Sequence, residues 1–303
     1  MQGQIITTPE RIQDFYRSTQ QELLEELKVN PVLQILHRRD SDYMRSVRTM
    51  VDEKHQLDKI QMIEKRLGFS LKGLALLEIG SGIGDFVVTC RRQGISAFGI
   101  EPHDESYGNL ERISKNFLDF FGISEDIIQK AWGEKLPHAD AAFDVVFSYY
   151  TFEHVGDPLK VLQESVRVLK PGGHLLFIFP NYGSFWEGHY GVPWPAFAPQ
   201  WLGKVWIRLL GFKPDFIDTL QLIDLPWLKR LIKQLGNSVE VLTLGKETFV
   251  EEVSGLSFTE AGSLHKAKAL LGPLKRMGIL SLLARTAAAL GVYTPFYLTL
   301  RKK

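Results

Sequence analysis

The chain has 303 residues, 45% of them hydrophobic and 23% charged, and a net charge of +1 at pH 7. This composition supplies one large hydrophobic core with appendages, and the near-neutral charge does not favour a nucleic-acid partner. The only cysteine, Cys90, forms no internal disulfide, and the N-terminus lacks the basic start and apolar core of a signal peptide. We therefore expect a cytosolic enzyme in which Cys90 packs in the interior.

Residues 1–70 are predicted to form an N-terminal helical cap. Thr8 before Pro9 and Asn30 before Pro31 are typical helix starts. A long segment from Ser41 or Asp42 to Gly68 carries apolar residues at helical spacing, which predicts one buried stripe. The cap either packs passively on a sheet or also serves as a lid over a ligand cleft. The cap also carries a basic cluster, which consists of Arg38, Arg39, Arg45 and Arg48. We expect these side chains to lie on a face exposed to solvent.

A glycine-rich loop follows the first predicted strand and is the most informative segment. The strand at 74–79 is almost wholly apolar, and Gly80, Gly82 and Gly84 then alternate around Ser81. Such a loop turns tightly and lets the backbone approach a ligand, which indicates a nucleotide-type cofactor. The dinucleotide fingerprint needs a third glycine where Asp85 or Val87 stands, so the spacing argues against NAD.

Glu78 followed by alternating glycines resembles motif I of the class I S-adenosylmethionine-dependent methyltransferases. A second strand at 96–100 ends in Glu101, about 20 residues beyond the glycines, where doubly wound folds place a ribose-binding carboxylate. Glu101, with Pro102 beside it, is therefore the candidate ribose contact. The resemblance implies S-adenosyl-L-methionine as the cofactor.

Further segments resemble the same family in the same order. They are E-K-L-P at 134–137, F-D-V-V at 143–146, E-H at 153–154 and L-K-P-G-G at 169–173. The resemblance covers roughly residues 72–180, with 296–303 as a last antiparallel strand. It implies an α/β fold with a doubly wound, seven-stranded, mostly parallel sheet, in which 71–195 form the cofactor-binding core.

The strand pattern agrees with this fold. Short apolar strands near 74–79, 96–100, 127–131, 143–148 and 174–179 alternate with helical stretches, as in a parallel sheet covered on both faces. Ligands of such sheets bind beyond the carboxyl ends of the strands, where Glu78, Glu101 and Ser148 all fall.

The adenine contact departs from the family pattern. Trp132 stands where family members often carry an Asp. The resemblance then implies that adenine meets backbone groups near Gly133, the side chain of Glu134, or the ring of Trp132 by stacking. Ser148, at the end of the fourth strand, is also predicted to border the cofactor.

The segment 181–195 is dense in aromatic residues, glycine and proline, too irregular for a helix or strand, and is predicted to be an acceptor-site loop. Its aromatic side chains offer flat faces to a sugar or ring; they are Tyr182, Phe185, Trp186, Tyr190 and Trp194. The loop resembles a stretch of methyltransferases from bacterial surface-polysaccharide pathways. That resemblance implies a sugar acceptor.

Transfer to a hydroxyl requires removal of its proton, and histidine is the natural base. His189 is the first candidate and His154 the second, with helix capping as the alternative for His154. Tyr150 either lines the methyl-transfer channel or packs in the core. In-line positioning alone also accelerates such a transfer, which leaves open an enzyme without a dedicated base.

No metal site is predicted. The eight histidines are scattered, without H-x-x-x-H or C-x-x-C spacing. A magnesium site built from carboxylates alone stays open.

Residues 196–290 are predicted to form a helical acceptor or lid insertion, with a short strand near 239–244, and 291–303 to form the last strand of the core. The apolar run 277–300 holds one charge, Arg285, but Gly278, Gly291 and Pro295 interrupt it, which argues against a transmembrane helix. Basic amphipathic helices can lie on a membrane surface, so peripheral contact at its inner face is kept open.

The leading hypothesis is O-methylation of a sugar hydroxyl in surface-polysaccharide or glycolipid biosynthesis. The acceptor is then a small-molecule or lipid-linked sugar. One alternative is a methyltransferase acting on a quinone or other lipid. Another is a non-catalytic S-adenosylmethionine-binding regulatory module. The oligomeric state is left open.

Overall fold

The computed structural model describes residues 8–36, 40–102, 110–257 and 271–303. The strands are β1 (Ala75–Ile79), β2 (Ser96–Glu101), β3 (Ile128–Lys130), β4 (Phe143–Tyr149), β5 (Leu169–Phe179), β6 (Trp186–Glu187), β7 (Val192–Pro193), β8 (Val239–Thr243) and β9 (Phe296–Lys302). The main sheet has seven strands in the order β3-β2-β1-β4-β5-β9-β8, and a two-stranded sheet pairs β6 with β7.

The predicted fold class is confirmed. β1 to β5 pair with one another in parallel, and β9 runs antiparallel to both β5 and β8. β8 lies within the segment 196–290, so that segment also supplies the edge strand of the main sheet.

Helices cover both faces of the sheet. They are α1 (Pro9–Val29), α2 (Pro31–Gln34), α3 (Asp40–Met50), α4 (Glu53–Leu67), α5 (Asp85–Arg92), α6 (Leu110–Phe120), α7 (Pro158–Val168), α8 (Gln200–Leu209), α9 (Leu225–Gln234), α10 (Lys246–Gly255) and α11 (Ile279–Ala289). No helix within the described ranges is long and apolar enough to cross a bilayer.

The caps of the N-terminal helices confirm two predictions. Thr8 accepts a hydrogen bond from the Arg11 amide, and Asn30 caps α2. The predicted helical segment that ends at Gly68 consists of two helices, α3 and α4. The side chain of Asp52 accepts from the His55 amide and starts α4 as a new helix. In the basic cluster, Arg38 and Arg39 lie outside the described residues.

The buried side chains form three clusters. The first packs helices α1 and α3 to α6 on one face of the sheet, and the second packs α7, α9 and α11 on the other. The third lies between the segment 182–220 and the end of α2. Cys90 is buried in the first cluster, as predicted.

Candidate functional site

The three glycines of the loop all adopt the left-handed conformation, with φ of 78°, 55° and 85° at Gly80, Gly82 and Gly84. A Cβ on Gly80 would lie 2.3 Å from Thr151 Oγ1, so the segment after β4 packs directly on the loop. A Cβ on Gly82 would meet no atom within 4 Å among the described residues. The first glycine therefore joins two loops, whereas the space beside the Cα atom of the second is open.

Glu101 meets the glycine loop directly. The Gly82 amide donates a 2.8 Å hydrogen bond to Glu101 Oε2. Glu101 ends β2 and Pro102 follows it, so the carboxylate lies at the carboxyl edge of the sheet where the sequence predicts it. One side chain thus fixes the loop and stands at the predicted ribose position.

Some buried polar atoms at this edge have no hydrogen-bond partner in the described part of the chain, and Glu78 Oε2 and Ser81 Oγ are among them. Burial, opposed by Lys59, raises the pKa of Glu78 to about 8. Buried polar atoms without partners call for a ligand, an ion or water. Together with the open space beside Gly82, they are compatible with the polar, cationic methionine part of S-adenosylmethionine.

Of the residues predicted to border adenine, Glu134 connects two segments of the fold. Glu134 Oε1 accepts from the amides of Gly156 and Asp157 at 2.7 and 3.0 Å, which ties this loop to the start of α7. Gly133 is buried, whereas Trp132 is 53% exposed. Trp132 is therefore the residue of this group with an aromatic face accessible for stacking.

The carboxyl end of β4 carries a strained residue. Tyr150 has φ of 50°, a conformation that non-glycine residues rarely adopt and that occurs often at functional sites. The hydroxyl of Ser148, two residues earlier, is buried and donates to the Ile79 carbonyl oxygen. Ser148 thus fastens β4 to β1 beside the loop, while Tyr150 is 40% exposed.

The predicted acceptor loop is more ordered than expected, because it contains the β6–β7 pair. The prediction of five available aromatic faces is wrong for Tyr182, Tyr190 and Trp194, which are buried in the third cluster. Trp194 Nε1 donates to the Tyr182 carbonyl oxygen, and the Tyr190 hydroxyl donates to that of Lys213. Phe185 is the strongly exposed ring of the five, and Trp186 is partly exposed.

The two candidate bases lie together. The rings of His154 and His189 have centroids 5.2 Å apart, and His189 Nδ1 lies 2.7 Å from Glu187 Oε1. Glu187 is fully buried; burial raises its pKa, but His189 and hydrogen bonds from His189 and Tyr190 hold the pKa below its usual range. Because an ionised carboxylate only accepts, Nδ1 of His189 carries the proton and donates.

Glu153 completes this cluster. Its side chain, together with His154 and His189, offers ligand atoms that all lie within 4.8 Å of one another. The scattered histidines of the sequence thus meet at one place, a juxtaposition that the spacing rules do not anticipate. Asp157 caps α7 as predicted, by accepting from Leu159 and Lys160, so His154 is not needed as that cap.

One buried residue near the loop carries no prediction. Asp85, the first residue of α5, accepts from the Tyr16 hydroxyl, the Asp52 amide and Gln56 Nε2. Burial raises the pKa of Asp85 to about 6. These bonds attach the N-terminal cap to the helix that follows the glycine loop.

One segment of the chain matches a known protein family. Residues 77–177 match the family described as "Methyltransferase domain". This segment is therefore similar to methyltransferase domains, which supports the predicted enzyme class and its cofactor, S-adenosylmethionine.

Two curated relatives match over segments of similar length. An uncharacterized methyltransferase of Mycolicibacterium vanbaalenii is 30% identical over 128 residues, covering 42% of this chain and 46% of the relative. Malonyl-[acyl-carrier protein] O-methyltransferase 1 of Coxiella burnetii is 38% identical over 112 residues, covering 33% and 39%. The chain thus matches less than half the length of these relatives.

Among solved structures, phosphoethanolamine N-methyltransferase 2 of Haemonchus contortus in complex with S-adenosyl-L-methionine is 17% identical to this chain. It aligns with 84% of this chain and 58% of its own, with a TM-score of 0.45.

Proposed function

We propose that the protein transfers the methyl group of S-adenosylmethionine to an oxygen atom of a small acceptor. The observation that carries this proposal is the packing of Thr151 on Gly80. It joins the predicted cofactor loop to the segment that holds Tyr150 and His154, so groups for the cofactor and groups for the acceptor meet at one edge of the sheet.

The geometry of this edge supports the following cofactor contacts. The glycine loop, with Ser81 and Glu78, holds the methionine part, and Glu101 with Pro102 holds the ribose. Trp132, Gly133 and Glu134 border adenine, and Ser148 fixes the strand ends. When bound, S-adenosylmethionine supplies a methyl group on a positively charged sulfur.

The acceptor lies beside the histidine cluster, and Tyr150 lines the approach to the methyl group. The proton of an acceptor hydroxyl leaves at this cluster, either to a ring nitrogen or, when the hydroxyl binds an ion held by the cluster, to water. Glu187 supports both routes, since its hydrogen bond fixes the orientation and tautomer of His189.

A sugar hydroxyl is the leading acceptor, on the resemblance of the 181–195 loop to methyltransferases of surface-polysaccharide pathways. The relative from Coxiella burnetii is named for a malonyl carrier-protein substrate, so a carboxyl oxygen is a second acceptor to test. A quinone or other lipid is a third, favoured by the apolar surfaces of the helical insertion.

Those surfaces also support peripheral contact with a membrane. Helix α8 exposes Trp201, Val205 and Leu209 at four-residue spacing, with Lys204 and Arg208 between them. An apolar stripe flanked by lysine and arginine suits the interface of an anionic bilayer. Sedimentation with anionic vesicles should then weaken on Trp201→Glu and remain unchanged on Val29→Glu, which alters an exposed apolar residue of α1.

The reaction is tested by incubating the protein with S-adenosylmethionine and a panel of nucleotide-linked sugars, lipid-linked sugars, quinones and malonyl thioesters. We expect S-adenosylhomocysteine and a methylated product with one class. His189→Asn should abolish turnover, whereas His174→Asn, in β5 away from the cluster, should not. Cofactor binding without turnover on any acceptor would instead favour a non-catalytic regulatory module.

A further inference from the structure

Glu153 is a buried carboxylate in an unusual position. Its side chain is 1% exposed, and neither carboxylate oxygen has a hydrogen-bond partner among the residues that the structure describes. Burying an ionised carboxylate without a partner costs several kcal/mol, on the order of the penalty for an isolated buried charge. Such a group therefore needs a proton or a cation.

Two imidazoles lie beside this carboxylate. His154 Nε2 is 4.0 Å from Glu153 Oε1, and the ligand atoms of Glu153, His154 and His189 all lie within 4.8 Å of one another. Two imidazole nitrogens with one carboxylate are a donor set for a divalent transition metal.

The surroundings of His189 match those of metal-binding histidines. Such histidines commonly donate their other ring N–H to a carboxylate, which orients the ring and raises its basicity. The 2.7 Å contact between His189 Nδ1 and Glu187 Oε1 is of this kind, and Glu187 is itself fixed by the Tyr190 amide at 2.6 Å. In such histidines the second ring nitrogen, here Nε2 of His189, is the one that binds the metal.

We propose that Glu153, His154 and His189 bind a divalent transition-metal ion, with zinc the best match to two imidazoles and one carboxylate. Bonds of about 2.0–2.2 Å place tetrahedral ligand atoms roughly 3.4 Å apart, so the side chains would close by up to about 1.4 Å on binding. Three protein ligands leave one position for an oxygen of the acceptor.

The ion also defines the catalytic role of the cluster, and this part rests on the proposed function. A hydroxyl bound to the ion loses its proton to water more readily. The resulting oxygen attacks the methyl carbon, and the bond between that carbon and the cofactor sulfur breaks. His189 then acts as a ligand rather than as a base.

The test measures binding without any turnover. The full-length protein is stripped with a chelator, titrated with Zn²⁺ against a competing chromophoric chelator, and analysed for bound metal after gel filtration. We expect one ion per chain. Co²⁺ in its place should give the visible absorption of a tetrahedral or five-coordinate site.

Three variants locate the ion. Glu153→Gln and His154→Asn should each weaken binding at least about 100-fold, and Glu187→Gln about 10–100-fold, as expected for a carboxylate that supports a ligand. His174→Asn is the matched control and should bind as the unsubstituted protein does. Melting curves and calorimetric binding of S-adenosylmethionine show that the variants fold and report separately on the cofactor site.

The proposal is overturned if the stripped protein takes up no zinc, or if Glu153→Gln and His154→Asn bind as His174→Asn does. Glu153 would then be neutralised by a proton. Failure of cofactor binding in all samples would instead contradict the proposed function and leave the metal result standing.

Discussion

The Tyr16 hydroxyl donates a 2.7 Å hydrogen bond to Asp85 Oδ1 across 69 residues of sequence. Tyr16 belongs to α1, and Asp85 is the first residue of the helix after the glycine loop. The N-terminal cap is thus attached to the helix that follows the glycine loop by a buried polar contact in addition to apolar packing.

Tyr16→Phe should lower the free energy of unfolding by about 1–3 kcal/mol, because a buried carboxylate loses one of its donors. Urea denaturation measures this loss. Tyr43→Phe is the matched control, since that buried hydroxyl makes only a 3.4 Å contact with the Leu33 carbonyl oxygen. Equal losses in the two variants would show that the contact with Asp85 contributes nothing particular.

Glu101→Ala should weaken binding of S-adenosylmethionine tenfold or more, or about 1.4 kcal/mol. The substitution removes both the predicted ribose acceptor and the acceptor for the Gly82 amide. Isothermal titration calorimetry measures the affinity. Glu125→Ala, which alters an exposed glutamate in the segment after α6, serves as the control. An unchanged affinity in Glu101→Ala would refute the ribose assignment.

Glu78 should make stability depend on pH. Burial raises its pKa from 4.5 to about 8 in the folded protein, so the folded state holds the proton more tightly than the unfolded chain. Its contribution is complete below about pH 4.5 and is lost as the pH rises through about 8; at about 1.4 kcal/mol per pKa unit it amounts to a few kcal/mol.

Urea denaturation of the cofactor-free protein and of Glu78→Gln measures this effect. The measurements are made at about pH 5, 6.5 and 8, which span the range between the unfolded and folded pKa values of Glu78. The stability of the unsubstituted protein should fall relative to the variant as the pH rises. A constant difference would mean that Glu78 does not titrate in this range.

Gly203→Ala should destabilise the third cluster. A Cβ at this position in α8 would lie 2.2 Å from the Trp194 ring, and overpacking of this kind costs about 1–3 kcal/mol. The change in melting temperature and in Trp fluorescence measures it. Gly188→Ala is the control, because a Cβ at that position would meet no described atom within 4 Å. It should leave the melting temperature and the Trp fluorescence unchanged.

Short-range spacing predicts the geometry of the glycine loop and its neighbours well. The strand before Gly80, the alternating glycines and Glu101 lie within about 30 residues, and the doubly wound topology brings them together by rule. The contact between Glu101 and the Gly82 amide follows from that arrangement.

Contacts between distant segments are not predictable in this way. Asp85 meets Tyr16 across 69 residues, and Glu153 meets His189 only because the loops after β4 and β5 fold against each other. The aromatic residues of the 181–195 loop illustrate the same limit. Tyr182 and Trp194 are aromatic residues of the kind found at binding surfaces. They are nevertheless core residues, because they are buried in the third cluster together with Ile207 of α8 and Phe216.

The central claim is that the edge formed by Gly82 and Glu101 binds S-adenosylmethionine. Calorimetric titration of the purified protein with S-adenosylmethionine, S-adenosylhomocysteine and NAD tests it most directly. We predict micromolar binding of the two adenosyl ligands, about −8 kcal/mol at 1 μM, and none of NAD. Binding of NAD alone would contradict the reading of the glycine loop and every site assignment that depends on it.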